Sequence, residues 1–330
     1  MRPPRAGVLA AFAAIYLFWG ATFLAIRYAV EDIPPLLMIG LRCAGGTLVL
    51  AGWLAWRGEL ARVTAAQWRT AIVAGGLLFL GNHALLAWAE QRVSSGEAAL
   101  FMTGIPLWLV VLSAAHDRRS PPPRVFAALG LGVAGVAVLS SGAGWSGGTG
   151  EHVALITGGI AWAAGSLVAR HGARPASAVL STTLQLATGT VWVLAASGIS
   201  GELAGIGPSA FSARAVASLA YLILFGTVLG FGAYTWLLQV TTPERVGSYA
   251  FVNPVVALLL AWVVGDGIIT GRTVVAAVMV IGSVVLLNFP AWIPRRWSRD
   301  SSPLGSAPSP AGSPMPSPSG CSSTPTTRVD

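Results

Sequence analysis

The sequence predicts an all-α integral membrane protein of ten transmembrane helices, built as two inverted five-helix repeats with both termini in the cytoplasm. Composition is the first of three observations behind this prediction. The chain of 330 residues is 54% hydrophobic and only 10% charged, and its mean hydropathy is +0.70. An average soluble domain carries about 25% charged residues. Because so few charges cannot solvate a globule of this size, the chain is expected to lie in a lipid bilayer.

The second observation is that the two halves of the chain resemble each other. Equivalent residues recur in the same order, at an offset of 143 residues early in each half and 148 residues later in it. The matched sets are Trp19, Arg27, Arg42 and Gly46 with Trp162, Arg170, Gln185 and Gly189, and then Trp88 and Pro106 with Trp236 and Pro254. Duplicated halves made of apolar helices are typical of membrane transporters.

Each predicted helix is an apolar run near the length of about 20 residues that a bilayer requires. Nine runs are free of charged residues, and a tenth is interrupted only by Arg42. In chain order the runs are Ala6–Ile26, Pro34–Trp56, Thr70–Ala89, Ala98–Ala115, Val125–Gly150, Val153–Ala169, Pro175–Gly201, Ala215–Pro243, Val246–Gly265 and Thr273–Pro294.

The third observation is the placement of arginine, which predicts the orientation. With the N-terminus inside, the cytoplasmic segments hold fourteen arginines and the outer segments hold four. Cytoplasmic loops of membrane proteins carry such an excess of positive charge. Because five helices per half is an odd number, the second half must be inverted relative to the first. That arrangement allows alternating access to a site near the membrane midplane.

Composition also argues against several classes of function. The net charge of +8 comes from arginine alone and lies in short loops, without a basic face for nucleic acid. Cys43 lies in an apolar run and Cys321 in the tail, and the four histidines are scattered, so neither a disulfide nor a metal site is expected. The acidic residues are spread singly, so no catalytic residues and no cofactor are predicted.

The predicted organisation has four parts. A cytoplasmic N-terminus covers 1–7, the first repeat covers 8–141, and the second repeat covers 152–290. The remaining segment, 298–330, is rich in serine and proline and cannot bury enough apolar surface to fold. It is expected to be a disordered cytoplasmic tail.

A set of diffuse motifs over about residues 8–290 resembles the EamA-type branch of the drug/metabolite transporter superfamily. The first half contributes Trp19-Gly20, Arg42, the segment Ser95–Pro106, Asp117-Arg118, Gly132 and Gly135. The second half contributes Trp162, Pro254, Asp266 and Gly282 in comparable places.

The resemblance implies a multi-pass protein of the plasma (inner) membrane that carries a small organic solute. Export of amino acids, metabolites or drugs is the commonest role in such proteins. The expected partners are the small-molecule substrate and the lipid bilayer, and the chain is expected to be a monomer or a homodimer. In such folds the cavity is lined mainly by the first, third, fourth, sixth, eighth and ninth helices.

Helical periodicity on those helices nominates the residues that face the cavity. Residues three, four and seven apart share a helix face. On the third helix, His83, Leu86 and Glu90 share a face. The 148-residue offset assigns the equivalent face to the eighth helix. The complete predicted set is Trp19, Thr22, His83, Leu86, Glu90, Thr103, Pro106, Trp162, Ser166, Phe231, Tyr234, Tyr249 and Asn253. The alternative for each is ordinary helix packing, and for Pro106 and Pro254 it is a bend.

Arg42 is the most unusual residue of the apolar part, because a charge at a helix centre costs about 2.5–3.5 kcal/mol on insertion scales. It can reach outward to the membrane surface, pair with Glu90 or Glu97, or meet an anionic substrate group, and we expect an ion pair. His83 and Glu90 are the candidate proton-handling groups, although a rise of about 10.5 Å over seven residues separates them. Since no acid is predicted at mid-membrane, facilitated or exchange transport is favoured over proton coupling.

Two other classes of function compete with a secondary transporter. A non-transporting scaffold or receptor would leave the paired helix faces without a cavity and would place its partner motif in the tail. A membrane-embedded enzyme would need a cluster of acids, histidines or metal ligands at the interface, which the sequence does not indicate. The transporter is therefore the favoured interpretation.

Overall fold

The computed structural model describes residues 4–118, 120–141, 147–204, 206–264 and 270–288. This part of the chain is helical and contains no strand, which confirms the predicted all-α fold. The predicted disordered tail at 298–330 and Asp266 lie outside the described residues.

Fourteen α-helices occur in the described chain. In order they are α1 (Arg5–Val30), α2 (Pro35–Trp56), α3 (Ala65–Gly75), α4 (Leu85–Ala89), α5 (Ser95–Met102), α6 (Ile105–Asp117), α7 (Pro123–Ser140), α8 (Thr149–His171), α9 (Ala178–Ile199), α10 (Ala213–Tyr221), α11 (Gly232–Val240), α12 (Pro243–Gly247), α13 (Tyr249–Val264) and α14 (Gly271–Asn288). Helices α1–α7 form the N-terminal half and α8–α14 the C-terminal half. A short 3-10 turn, Pro208–Ala210, precedes α10.

Several of these helices run on into one another and form longer apolar stretches. Seven stretches in the described chain are long and apolar enough to cross a membrane: Arg5–Val30, Pro35–Trp56, Ala65–Ala89, Glu97–Asp117, Thr149–His171, Ala178–Ile199 and Ala213–Val240. Shorter apolar helices cover Pro123–Val138 and Gly271–Leu287. Large apolar side chains such as Leu48 and Val278 are exposed on the outer surface of the bundle, as contact with lipid requires.

Two π-helical segments interrupt matching stretches of the two halves. Gly76–Ala84 joins α3 to α4, and Leu222–Phe231 joins α10 to α11. Their separation is close to the 148-residue offset of the sequence repeat. A π-helix pairs each backbone N–H with the carbonyl five residues earlier, so it changes which side chains share a face. In the first segment, Nδ1 of His83 lies 2.9 Å from the carbonyl oxygen of Leu78, five residues earlier in the same segment.

The two mid-span prolines have different local structures. Helix α5 ends at Met102 and α6 begins at Ile105, so the helix is interrupted immediately before Pro106. Proline is tolerated in the first turn of a helix, where its missing N–H has no helical partner to lose. Pro254, by contrast, lies inside α13.

Glycines allow the helices to approach closely. A Cβ atom added at Gly132 of α7 would lie 2.8 Å from Ser283 Oγ of α14, and one added at Gly230 would lie 2.4 Å from Trp19 Nε1. Both glycines therefore lie at close contacts between helices. In membranes, where apolar surface gains little by leaving lipid, such close packing is a main source of helix association.

Replacement of Gly75 by alanine is expected to destabilise the bundle. A Cβ atom there would lie 2.7 Å from the Gln185 carbonyl oxygen and 2.9 Å from the Gly189 nitrogen, so α3 and α9 must separate. Overpacking of this kind costs about 1–3 kcal/mol. The thermal unfolding midpoint of the purified protein in detergent should fall. Gly52→Ala is the matched control, because a Cβ atom at Gly52 of α2 meets nothing within 4 Å. Equal midpoints for both variants would contradict the close contact between α3 and α9.

Candidate functional site

A small cavity of about 50 Å³ lies in the interior of the bundle between the two halves of the chain. The N-terminal half contributes Trp19, Thr22, Phe23, Ile26, Arg42, Asn82, His83, Leu86, Met102 and Ile105, and the C-terminal half contributes Trp162, Tyr249 and Asn253. The volume is enough for a few water molecules but far below the roughly 300–1,000 Å³ of pockets that enclose organic ligands. The cavity is therefore too small in this structure to hold an organic solute.

Five aromatic rings pack around the cavity and form what we call the aromatic cluster: Trp19, Trp162, Phe231, Tyr234 and Tyr249. The Trp19 ring centroid lies 5.6 Å from that of Trp162, 5.2 Å from that of Tyr234 and 4.7 Å from that of Tyr249. These separations and the tilted or edge-on ring orientations are typical of favourable aromatic pairs. All five rings are buried, so the cluster is part of the packed interior between the halves.

Hydrogen bonds hold parts of the cluster in place and leave others free. Trp19 Nε1 donates to the Gly226 carbonyl at 2.8 Å, and the Tyr234 and Ser166 hydroxyls are 2.6 Å apart. Within the described chain, the buried Trp162 Nε1 and Asn253 Oδ1 have no hydrogen-bond partner. An unpaired buried donor or acceptor costs about 1–3 kcal/mol. A solute that supplied a complementary group would remove that cost, so these two atoms are candidate polar contacts of the cavity wall.

The ion pair expected for Arg42 is not formed among the described residues, and that expectation is wrong. Arg42 Nε donates to Thr227 Oγ1 of the second π segment at 2.7 Å, while Nη1 has no partner in the described chain. Glu97 instead lies 2.5 Å from His152 Nε2. The guanidinium is buried at the cavity wall, where its unpaired nitrogen is a further donor.

The two candidate proton-handling residues occupy different surroundings. His83 lines the cavity, and because a carbonyl can only accept, its contact with Leu78 places a proton on Nδ1 and leaves Nε2 as the acceptor of the neutral ring. Glu90 is fully buried and does not line the cavity. Neither of its carboxyl oxygens has a hydrogen-bond partner in the described chain, although Arg27 Nη1 donates to its backbone carbonyl.

The remaining predicted residues divide into those at the cavity and those behind it. Of the thirteen candidates, seven line it: Trp19, Thr22, His83, Leu86, Trp162, Tyr249 and Asn253. Phe231, Tyr234 and Ser166 stand behind them, through ring contacts and the hydroxyl bond. Thr103 Oγ1 donates to the Leu100 carbonyl at 2.6 Å, and Pro106 packs near Gly247 of α12.

Several lining residues escape prediction from periodicity. Met102 and Ile105 flank the interruption between α5 and α6, where the period of 3.6 residues fails. Asn82 lies in the first π segment, where the side chains turn by less per residue than in an α-helix, and its Nδ2 lies 3.6 Å from Met102 Sδ. The proline at 106 is the only sequence signal that marks the first of these irregularities.

Polar contacts join the halves at the end of the bundle where α1 ends and α8 begins, which we call the Glu31 end. Arg92 Nη1 lies 2.9 Å from Glu151 Oε1, and Glu202 accepts from the Leu37 backbone N–H at 3.0 Å. Further contacts between the halves at this end are Glu97 with His152, Arg214 with Glu31, and Ser212 with Asp32. These contacts close the bundle on that side of the cavity.

Replacement of Thr227 by valine is expected to destabilise the protein, because the buried Arg42 Nε then loses its acceptor. A hydrogen bond to a charged group contributes about 1.5–3 kcal/mol. Thr235→Val is the matched control, since Thr235 is equally buried but its Oγ1 has no partner in the described chain. In chemical or thermal unfolding in detergent, Thr227→Val should have a lower unfolding midpoint than the parent. The midpoint of Thr235→Val should equal or exceed that of the parent. The reverse order would show that the Arg42–Thr227 bond is not stabilising.

Comparison with known proteins agrees with this architecture. The EamA-like transporter family model matches the chain twice, over residues 5–141 and 150–289. The chain is 31% identical over 275 residues to a protein of Escherichia coli named uncharacterized inner membrane transporter YedA, covering 83% of this chain and 88% of that protein. It is 24% identical to a protein of Salmonella typhimurium named probable amino-acid metabolite efflux pump, covering 83% of this chain and 92% of that protein.

A solved crystal structure shares the fold. It superimposes with a TM-score of 0.69 at 20% sequence identity and covers 86% of this chain and 97% of its own. The two family matches fall on the two halves that meet at the cavity, and the relatives are named as transporters. This chain belongs to the EamA-like transporter family.

Proposed function

We propose that this protein is a secondary transporter that moves a small organic solute across the plasma membrane by alternating access between two inverted repeats. The observation that carries the proposal is the cavity at the junction of the two family-matched halves, lined by residues of both. Amino acids, metabolites and drugs are the proposed substrate classes, and export is the proposed direction. The multi-pass helical architecture and the transporter names of the relatives support this assignment over a scaffold or an enzyme.

The proposed topology has ten membrane spans with both termini in the cytoplasm. The seven long stretches and the two shorter apolar helices supply nine spans, and α12 with α13 supplies the tenth. The excess of arginine then places the Glu31 end outside and the opposite end inside. Since each half has five spans, the halves are inverted relative to each other.

The contacts at the Glu31 end suggest how the cavity would open to the outside. The Arg214–Glu31 pair is accessible to solvent on both sides, and an exposed ion pair contributes only about 0–1 kcal/mol. Such contacts stabilise a closed state without making its opening prohibitively slow. Solute binding that favours separation of the halves would break them together, as a population shift requires.

The lining of the cavity supports a solute that is partly apolar. Rings of the aromatic cluster would pack against an aromatic or branched group, and Asn253 Oδ1 would accept from a donor such as an ammonium or amide. The unpaired nitrogens of Trp162 and Arg42 would donate to an acceptor such as a carboxylate. An amino acid with an aromatic or branched side chain has all three features. The name of the Salmonella relative is consistent with this class.

Counterflow in proteoliposomes tests the proposal. Vesicles containing the purified protein are loaded with unlabelled amino acid and diluted into the labelled one, with and without an imposed pH gradient. We expect labelled aromatic or branched amino acids to enter without a gradient, because exchange needs only the alternation of the cavity. Protein-free vesicles and vesicles offered a multiply charged solute are the controls.

Two results would change the interpretation. Accumulation only with the gradient would replace exchange by proton coupling and would make His83 and Glu90 the first residues to mutate. Movement of only highly polar or multiply charged solutes would contradict the proposed substrate class.

Trp19→Ala and Tyr234→Ala are each expected to lower the initial rate of counterflow at least about tenfold while the protein still inserts. Each replacement removes a ring that packs beside the cavity, and a tenfold change in rate corresponds to about 1.4 kcal/mol of activation free energy. Trp56→Ala is the control, because Trp56 is 75% exposed at the far end of α2. Transport at the parental rate by both cluster variants would discard the assignment of the cavity as the solute site.

A further inference from the structure

The adjacent residues His116 and Asp117 meet the distant His171 where α6 and α8 end. The side chains of His116, Asp117 and His171 offer ligand atoms that all lie within 4.8 Å of one another. The two imidazole ring centroids are 4.3 Å apart. All three residues are exposed, so the group lies at the surface of the bundle, at the end opposite Glu31.

We propose that this group binds a divalent zinc ion. Imidazole nitrogen and carboxylate oxygen are usual zinc ligands, and a set of three leaves a fourth tetrahedral position for water. With bonds of about 2.0–2.1 Å, neighbouring ligand atoms lie about 3.3 Å apart around the metal. The side chains must therefore draw together by at most about 1.5 Å, which rotamer adjustment of exposed residues permits. Magnesium, which prefers oxygen ligands, is not expected to bind.

Some of the surrounding charges would attract a cation at this group, and others would repel it. His116 and Asp117 end α6 and His171 ends α8, so two helix C-termini with their partial negative charge face the group. Arg170 and Arg174 oppose a cation electrostatically. However, Arg170 Nη1 is bound to the carbonyl oxygens of Leu238 and Thr241, and Arg174 Nη1 to the Arg170 carbonyl. These contacts hold both guanidinium groups on backbone oxygens, which leaves the two imidazoles and the carboxylate to receive the metal.

A bound ion would connect the two halves of the chain. His116 and Asp117 belong to the first family-matched segment and His171 to the second. Zinc would therefore connect the ends of α6 and α8 on the side opposite the Glu31 contacts. The proposal concerns binding and does not depend on the proposed transport function.

Isothermal titration with zinc chloride tests the site directly. The full chain carries an affinity tag without histidine and the Cys321→Ser replacement, which removes the tail thiol. It is treated with a chelator before the titration. His116→Ala and His171→Ala each remove one ligand. His152→Ala is the matched control, because it removes a histidine from the Glu31 end. Zinc-dependent change in the thermal unfolding midpoint is recorded for every variant, since a ligand that binds the folded state stabilises it.

We expect one zinc ion per chain in the parent and in His152→Ala, and affinity at least about tenfold weaker in His116→Ala and His171→Ala. Zinc should raise the unfolding midpoint only where binding persists. Absence of stoichiometric binding by the parent, or equal affinity in all variants, would overturn the site. Because all three ligands are exposed, the variants should fold, and their zinc-free midpoints check this.

Discussion

The contact between Trp19 and the second π segment is the interaction on which the rest of the cavity depends. The indole Nε1 binds the Gly226 carbonyl, and the absence of a side chain at Gly230 lets the ring lie directly on the segment. Once Trp19 is held there, Trp162, Tyr234 and Tyr249 pack against its faces and edges. A side chain at Gly230 would displace Trp19 and thereby the three rings that surround it. The cavity is therefore built from a backbone irregularity and a glycine as much as from the aromatic residues themselves.

The second π segment also accommodates the buried charge. Arg42 of α2 reaches Thr227, one residue after the carbonyl that binds Trp19. A buried charge is tolerable in a membrane protein when it is hydrogen-bonded or faces a cavity, and Arg42 meets both conditions. One short segment of the C-terminal half thus positions an aromatic anchor and a cation of the N-terminal half. Movement of α1 or α2 relative to this segment would change one of these contacts, which would link the proposed opening of the cavity to its chemistry.

Sequence reasoning predicted the helical membrane fold and seven of the residues that line the cavity, because apolar length and the internal repeat are strong signals. Of the lining residues that it missed, Met102, Ile105 and Asn82 lie at a broken helix or in a π segment, which changes the angular order of side chains and leaves little trace in composition. It was also wrong about the ion pair of Arg42. Charge alone favoured Glu90 or Glu97, whereas in the structure Arg42 Nε donates to a neutral hydroxyl and Glu97 pairs with His152. Contacts between distant helices depend on packing that a single sequence does not encode locally.

The same limitation explains why the sequence did not indicate a metal site at the end of the bundle opposite Glu31. His116 and His171 are far apart in sequence and have no metal-ligand spacing, yet α6 packs beside α8 and ends level with it. The Glu31 contacts are several separate ion pairs and hydrogen bonds within the chain. A metal bound by His116, Asp117 and His171 would instead be a single strong connection whose strength depends on the zinc concentration. The two ends of the bundle would then differ in kind: one held by reversible contacts within the chain, the other by a ligand supplied from solution.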